Sequence, residues 1–340
     1  MKRLFAFALL LLMMGCEGDY ALYNLNNPET EQVIVEVEVP VEIEIPGEGG
    51  DVWIDSFEQP YTMNGIDIVW VIDMSASMIV YEQLLINGIE KMMQALPPAG
   101  WRLGITQTDW NYSIQQQDFP LVPGDTVGDA WGAYNNLPTG HLEAGFDALS
   151  AYLVENTYNQ TWLRPDAGLL VVFVSDENEQ STRDFTGGGS GLNDFINWYG
   201  SQRNSVFLAS IVTVAAQSYG QSGNGCNWNV PANYIGSRYI DATAAFGGVV
   251  IDICDEDWAA GVQDVAAQTQ PHEKWPLTYN PLVNTLLVLE DFVEKDPAEW
   301  SYNSSTNTIE FLVVPEEGAF VEIGYVIDHT SGDDDDSAGS

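Results

Sequence analysis

Five oxygen-bearing side chains stand where they could hold a metal ion. Residues 66–78 read IDIVWVIDMSASM, an apolar, largely β-branched run that stops at Asp73 and offers Ser75 and Ser77 at alternate positions after it. A second segment, NLPTG, carries Thr139, and a second apolar run, GLLVVFVSD, ends at Asp176. Two carboxylates and three hydroxyls are hard ligands suited to Mg²⁺, Mn²⁺ or Ca²⁺, and the lack of His or Cys at these positions argues against zinc. The competing explanation is local: Ser and Asp favour helix N-caps, and Ser77 ahead of a helix could be one. A cap accounts for one residue, not for five on three loops.

The elements that would position these residues alternate in type. The strand ending at Asp73 is followed by a helix that stops near Pro97-Pro98, with Leu85, Ile89, Met92 and Leu96 at helical spacing on one face. WRLGITQT is a strand. HLEAGFDALSAYL is a second amphipathic helix, expected to begin just after Thr139, with Leu142, Phe146, Leu149 and Leu153 on its apolar face. Strands at GLLVVFVSD and 205–214, a short helix within 231–246, a strand at GGVVIDI and a closing helix at DWAAGVQDVAAQT complete the series. Apolar strands alternating with amphipathic helices predict an α/β fold over 61–271: a doubly wound, mostly parallel sheet with helices on both faces. Ligands of such sheets sit at the carboxyl ends of the strands, where all five candidates fall.

At these residues the sequence resembles the von Willebrand factor A domain, over roughly 62–270. The metal-ion-dependent adhesion site of that family has an Asp-x-Ser-x-Ser loop, a threonine in a second loop and an aspartate in a third. The matching positions are Asp73, Ser75, Ser77, Thr139 and Asp176. The resemblance implies a divalent cation, Mg²⁺ first with Ca²⁺ or Mn²⁺ as alternatives. The three hydroxyls would bind it directly, and the aspartates directly or through water. An open position would accept a Glu or Asp carboxylate from a protein or glycan partner. The threonine segment departs from the Gly-Gly-Thr-Asn of many relatives. LRPDAGLLVVFVSDENEQS resembles a subgroup of secreted bacterial members, and Glu177, Asn178 and Glu179 read as a solvated acidic loop rather than a second metal site. The alternative role is a structural or assembly subunit of an envelope complex, docking without metal.

Catalysis is not expected. Ser75 or Ser77 with His141 could mimic a hydrolase triad, but no Gly-x-Ser-x-Gly elbow or oxyanion glycine loop is present. Nucleic acid is excluded as a partner, because ten Lys plus Arg face fifty Asp plus Glu in 340 residues, a net charge of −40. Such a surface repels itself at low salt, and salt screens that repulsion within roughly 10 Å at 0.1 M.

The flanks point to export. MKRLFAFALLLLMMGC has a basic start, an apolar run too short to span a bilayer, and a terminal Gly15-Cys16. It resembles a bacterial lipoprotein signal over 1–16, which implies acylation of Cys16 and attachment to the outer membrane by lipid alone; an ordinary export signal is the alternative. Residues 17–60, with alternating apolar and acidic residues broken by prolines and glycines, read as an extended stalk. Residues 277–328 read as a small antiparallel β module, and 329–340 as a flexible acidic tail. With Cys16 lipidated, Cys226 and Cys254 remain as an even pair in an exported chain, most simply a disulfide. Closing that loop would stabilise by roughly 3–4 kcal/mol in the chain-entropy model.

Overall fold

The computed structural model describes residues 51–62, 64–185, 189–216 and 231–329. The leader with Cys16, residues 17–50 of the expected stalk, Cys226 and residues 330–340 of the tail lie outside the described residues.

A strand, β1 (Val52–Glu58), comes first. It is followed by β2 (Ile66–Ile72), a 3₁₀ segment (Ala76–Tyr81), α1 (Glu82–Ala95), β3 (Trp101–Gln107), α2 (Trp110–Ser113) and α3 (Val127–Asn135). Then come α4 (Gly145–Ser150), running into a π-helical turn (Ala151–Glu155), β4 (Gly168–Ser175), α5 (Leu192–Gly200) and β5 (Val206–Val212). The unit closes with α6 (Ser237–Ala245), β6 (Val250–Asp252) and α7 (Ala259–Gln268). Five strands pair in the order β3-β2-β4-β5-β6, every pair parallel, as the sequence leads one to expect of a doubly wound α/β sheet.

Every residue of β2 and β4 is buried, which is why both read as continuous apolar runs. Successive side chains still go to opposite faces. Ile68, Trp70 and Ile72 of β2 pack with Leu85, Ile89 and Met92 of α1 and with Val262 and Val265 of α7. Val69 and Val71 pack on the other face with Phe146 and Leu149 of α4, Phe195 of α5 and Tyr239 of α6. Asp67, the one charge inside β2, is answered by Arg164, whose guanidinium lies 2.7 Å from its carboxylate.

The second helix departs from its expected start. It begins at Gly145, because residues 140–142 are held as a loop: the Gly140 N–H donates to the Met74 carbonyl (3.1 Å) and the Thr108 hydroxyl to the Leu142 carbonyl (2.6 Å). Leu142 is accordingly 42% exposed instead of facing the core, while Phe146, Leu149 and Leu153 are buried.

The stretch 52–58, expected to be the end of a stalk, is instead strand β1 of the antiparallel unit. That unit also contains β7 (Lys274–Pro276), β8 (Leu287–Glu290), β9 (Val293–Glu294), β10 (Trp300–Asn303), β11 (Thr308–Phe311) and β12 (Phe320–Val326). They form two sheets, β1-β12-β8-β9 and β10-β11-β7. β1 pairs antiparallel with β12 along its whole length, from Val52 opposite Val326 to Glu58 opposite Phe320. Its inward positions are Asp55 and Phe57. Phe57 joins Val288, Ile309, Phe311, Val321 and Ile323 in a separate core. Asp55 accepts from the Thr278 N–H (3.0 Å) and hydroxyl (2.6 Å), the Tyr325 hydroxyl (2.8 Å) and the Trp53 indole (2.9 Å). The partner strand lies at the far end of the chain, so no local turn signals the pairing.

No helix among the described residues is long and apolar enough to cross a membrane.

Candidate functional site

The strand order sets the position of the site. From β2 the chain moves to β3 on one side, then returns to β4 on the other, so the connections leaving β2 and β4 diverge. In open α/β sheets this reversal opens a crevice beyond the carboxyl ends of those two strands. Asp73 directly follows β2 and Asp176 directly follows β4.

Asp73 is 1% exposed. Its N–H continues the ladder to the Val174 carbonyl (2.8 Å). One carboxylate oxygen accepts from the Ser75 N–H (2.8 Å), and the other from the hydroxyl of Ser175, the last residue of β4 (2.8 Å). The hydroxyls of Ser75 and Ser77 lie 3.0 Å apart, and that of Ser77 donates to Asp176 Oδ1 (3.1 Å). Asp73, Ser75, Ser77 and Asp176 are therefore linked, through the Ser75 N–H and then the two serine hydroxyls, across two loops 99 residues apart in sequence. The capping alternative is not what these hydroxyls do. Ser75 holds the N-cap position of the 3₁₀ segment but makes no side-chain cap bond, and its oxygen faces Ser77.

Two buried carboxylates in one polar cluster require compensation. Burial, only partly offset by the bonds from Ser75 and Ser175, raises Asp73 above the usual carboxylate range. Burial and the neighbouring Asp73 charge push Asp176 up to about 6. Among the described residues neither carboxylate has a Lys, Arg or His ion pair. Among those residues, too, no group of three or more His, Cys, Asp or Glu is placed to hold an ion; the other oxygens of this cluster are hydroxyls. Buried carboxylates without a cation, joined by neutral hydroxyls, are a donor set that fits a hard dication.

Thr139 is not joined to the cluster. It stands exposed on its loop, with no side-chain hydrogen bond among the described residues. The loop itself is close: the Gly140 N–H bonds Met74 O, and a Cβ at Gly140 would fall 2.3 Å from Oε1 of the buried Gln107. His141 is exposed beside it, and among the described residues no hydrogen bond links its ring to Ser75 or Ser77.

The acidic loop after Asp176 is anchored, not solvated. Glu179 is buried and pairs with Arg238 of α6 at 2.9 Å, while accepting from the Ser181 N–H (2.8 Å). Burial outweighs those partners and pushes its carboxyl up to about 7. Asn178 Oδ1 accepts from the Arg238 N–H (3.2 Å), so α6 clamps the loop. The loop's carbonyl at Asp176 receives the Thr213 hydroxyl from beyond β5 (3.0 Å). Glu143, on the Thr139 loop, is pushed up to about 7 by burial and by Glu177, Asp73 and Asp176. It accepts a side-chain bond from Gln180. Glu143 was not singled out in the sequence; the only signal for it was a carboxylate four residues beyond Thr139 in a chain where acids are everywhere.

Cys254 is buried just beyond β6, and its expected partner Cys226 lies outside the described residues.

No protein-family model matches the sequence, and no curated protein matches it. Among solved structures, the chain is similar to a von Willebrand factor type A protein from Catenulispora acidiphila: 12% identity over 82% of this chain and 66% of that one, TM-score 0.39. It is similar to the pilus adhesin SpaC of Lactobacillus rhamnosus GG in its open conformation: 10% identity, 81% of this chain, 42% of that one, TM-score 0.37. An aerotolerance-related membrane protein from Bacteroides fragilis shares 12% identity over 60% of this chain and 98% of its own, TM-score 0.35. The chain thus spans less than two thirds of the first two structures it matches. The described chain presents a five-stranded parallel sheet flanked by helices, with its Asp-x-Ser-x-Ser loop at the carboxyl end of β2.

Proposed function

We propose that this chain is a binding protein that holds a divalent cation, Mg²⁺ first, at Asp73, Ser75, Ser77 and Asp176 and thereby captures a carboxylate on a protein or glycan partner. The observation that carries this reading is the Asp73–Ser75–Ser77–Asp176 cluster, two buried carboxylates joined through the Ser75 N–H and the Ser75 and Ser77 hydroxyls, with no cationic side chain paired to either among the described residues. A bound dication would supply the missing charge and an electrophilic position for a partner oxygen. The chain's own residues do the rest. Ser175 and the Ser75 N–H orient Asp73, Thr213 and the α6 clamp fix the Asp176 loop, and the Met74–Gly140 bond brings the Thr139 loop alongside. Thr139 enters only as a residue that could swing inward.

No group in the cluster is arranged as a nucleophile and base, so the role proposed is binding without catalysis. Export and lipid attachment at Cys16 belong to the same proposal and rest on the sequence: a lipidated chain would carry the site at the envelope.

The test is retention on an immobilised, blocked aspartyl peptide. The full chain should be retained in Mg²⁺, elute with EDTA, and pass through unretained as Asp73→Asn. Retention that is indifferent to EDTA would overturn the reading.

A further inference from the structure

β1 is an open edge. Asp51 and Gln59, which flank it, bond through the backbone to Ile327 and Ala319 on the β12 side. With a period of two, Trp53, Asp55 and Phe57 turn their N–H and C=O to that same side, and Val52, Ile54, Ser56 and Glu58 turn theirs the other way. On the other side no strand pairs with β1 among the described residues, and the outward backbone groups of those four residues find no partner there. Natural edges are blunted by shortness, proline, lysine or a bulge. β9, the opposite edge of the same sheet, has only two residues. β1 has seven in unbroken register, with no Pro or Lys, and shows Val52 (55% exposed) and Ile54 (57%) on one face. Left so, it is a template for aggregation.

The chain immediately upstream carries the matching pattern. Residues 33–46 read VIVEVEVPVEIEIP: every odd position is Val or Ile, and every even position from 36 onward is Glu or Pro. The parity survives Pro40 and stops at Gly47-Glu48-Gly49-Gly50, directly ahead of Asp51 and β1. Glycines suit a turn, and this one is short enough to return the chain alongside β1. We propose that residues 41–45 fold back through that turn and add to β1 as an antiparallel fifth strand. The prolines decide which residues face the ladder. Proline has no N–H to donate, and in a sheet it sits where that N–H would point away from the neighbouring strand. Pro40 and Pro46 are both even, so Val41, Ile43 and Ile45 bond to β1 while the even residues turn outward. Opposed residues share a face, so these three cover Val52 and Ile54. Glu42 and Glu44 fall on the other face, where charge at the new edge deters a sixth strand. A one-residue slip would put proline into the ladder and glutamate beside Val52 and Ile54. The same segment of a second copy could make the same bonds, but the chain's own segment is tethered by the glycine turn and is present at a far higher effective concentration. With Cys16 as the anchor, the pairing would shorten the free tether from residues 17–50 to residues 17–40, from roughly 110 Å to roughly 80 Å at full extension.

The experiment is amide hydrogen exchange, resolved by residue with NMR, on the purified full chain and two single variants. Ile43→Pro removes an N–H from the ladder. Glu44→Pro removes one that points to solvent, as Pro40 and Pro46 already do. The Ile54 and Ser56 amides should exchange about tenfold more slowly in the parent than in Ile43→Pro, the scale of one hydrogen bond, and Glu44→Pro should keep the protection. The Asp55 and Phe57 amides face β12 and should stay slow in all three proteins, which reports that the domain is folded. Unprotected Ile54 and Ser56 amides in the parent, or equal exchange in the two variants, would overturn the added strand. Protection that grows with protein concentration, alongside a dimer in sedimentation, would overturn it in favour of a second copy.

Discussion

Replacing Asp176 by Asn should stabilise the metal-free protein while destroying its cation site. In the fold, burial and the Asp73 charge push Asp176 from 3.8 up to about 6. At roughly 1.4 kcal/mol for each tenfold change in proton affinity, ionising it inside the fold costs about 3 kcal/mol relative to the unfolded chain. Asn keeps the shape and an acceptor for the Ser77 hydroxyl but loses the charge-assisted part of that 3.1 Å bond, worth about 1 kcal/mol. The net gain is about 2 kcal/mol above pH 7. Its sign with pH follows from proton binding. Between 3.8 and about 6 the folded parent holds the proton more tightly than the unfolded chain, so its stability falls as pH rises through that window and then levels off. The variant lacks that fall, and its advantage should be small near pH 4 and full above pH 7. Mg²⁺ at one hundred times its dissociation constant would stabilise only the parent, by about 2.7 kcal/mol, and cancel the difference. Urea unfolding followed by tryptophan fluorescence in EDTA, at both pH values and again in Mg²⁺, reads all of this. A variant less stable than the parent in EDTA above pH 7 would refute the electrostatic account of the site.

Three further outcomes follow from the framework. Asp55→Ala should cost about 3 kcal/mol, because it strips one carboxylate that satisfies Trp53, Thr278 and Tyr325. Burial pushes Asp55 up, but those bonds outweigh it and hold the group below 3.8. Its contribution is thus full above the unfolded value and lost as pH falls through the folded one, so the acid unfolding limb should weaken in the variant. Arg164→Ala leaves the buried Asp67 without its guanidinium and should cost about 3–5 kcal/mol in chemical denaturation; a loss under 1 kcal/mol would show that the pair is not a buried one. If Cys226 and Cys254 are paired, alkylation of the denatured chain should label neither without reductant and both with it.

What was legible in the sequence was whatever one segment could announce alone. A strand buried on both faces must be apolar throughout, so β2 and β4 stood out, and with them the residues at their ends, Asp73 and Asp176. The Asp-x-Ser-x-Ser spacing needs no partner to be seen. The rest depended on contacts between distant segments. The helix after Thr139 could not start where its periodicity suggested, because Met74 and Thr108 hold the intervening backbone in a loop. That leaves Thr139 and Leu142 exposed, whereas local pattern alone puts Leu142 on a buried helix face.

Glu179 and β1 failed for the same reason. Glu179 looked solvated among acids, but its cation, Arg238, lies on α6 beyond another strand. With only ten basic residues against fifty acids, each Arg was a signal of a specific partner that could have been weighed. β1 read as stalk because the strand it pairs with, β12, lies at the opposite end of the chain. Alternation without a turn records a strand whose partner is remote as readily as an extended spacer.

The central claim is that Asp73 and Asp176 await a cation. Calorimetric titration of Mg²⁺, with Mn²⁺ and Ca²⁺ beside it, into the full chain and into Asp73→Asn tests this most directly. The account predicts one saturable site in the parent and none in the variant. Equal heats in both proteins, or none in the parent, would contradict it and leave a domain that docks without metal.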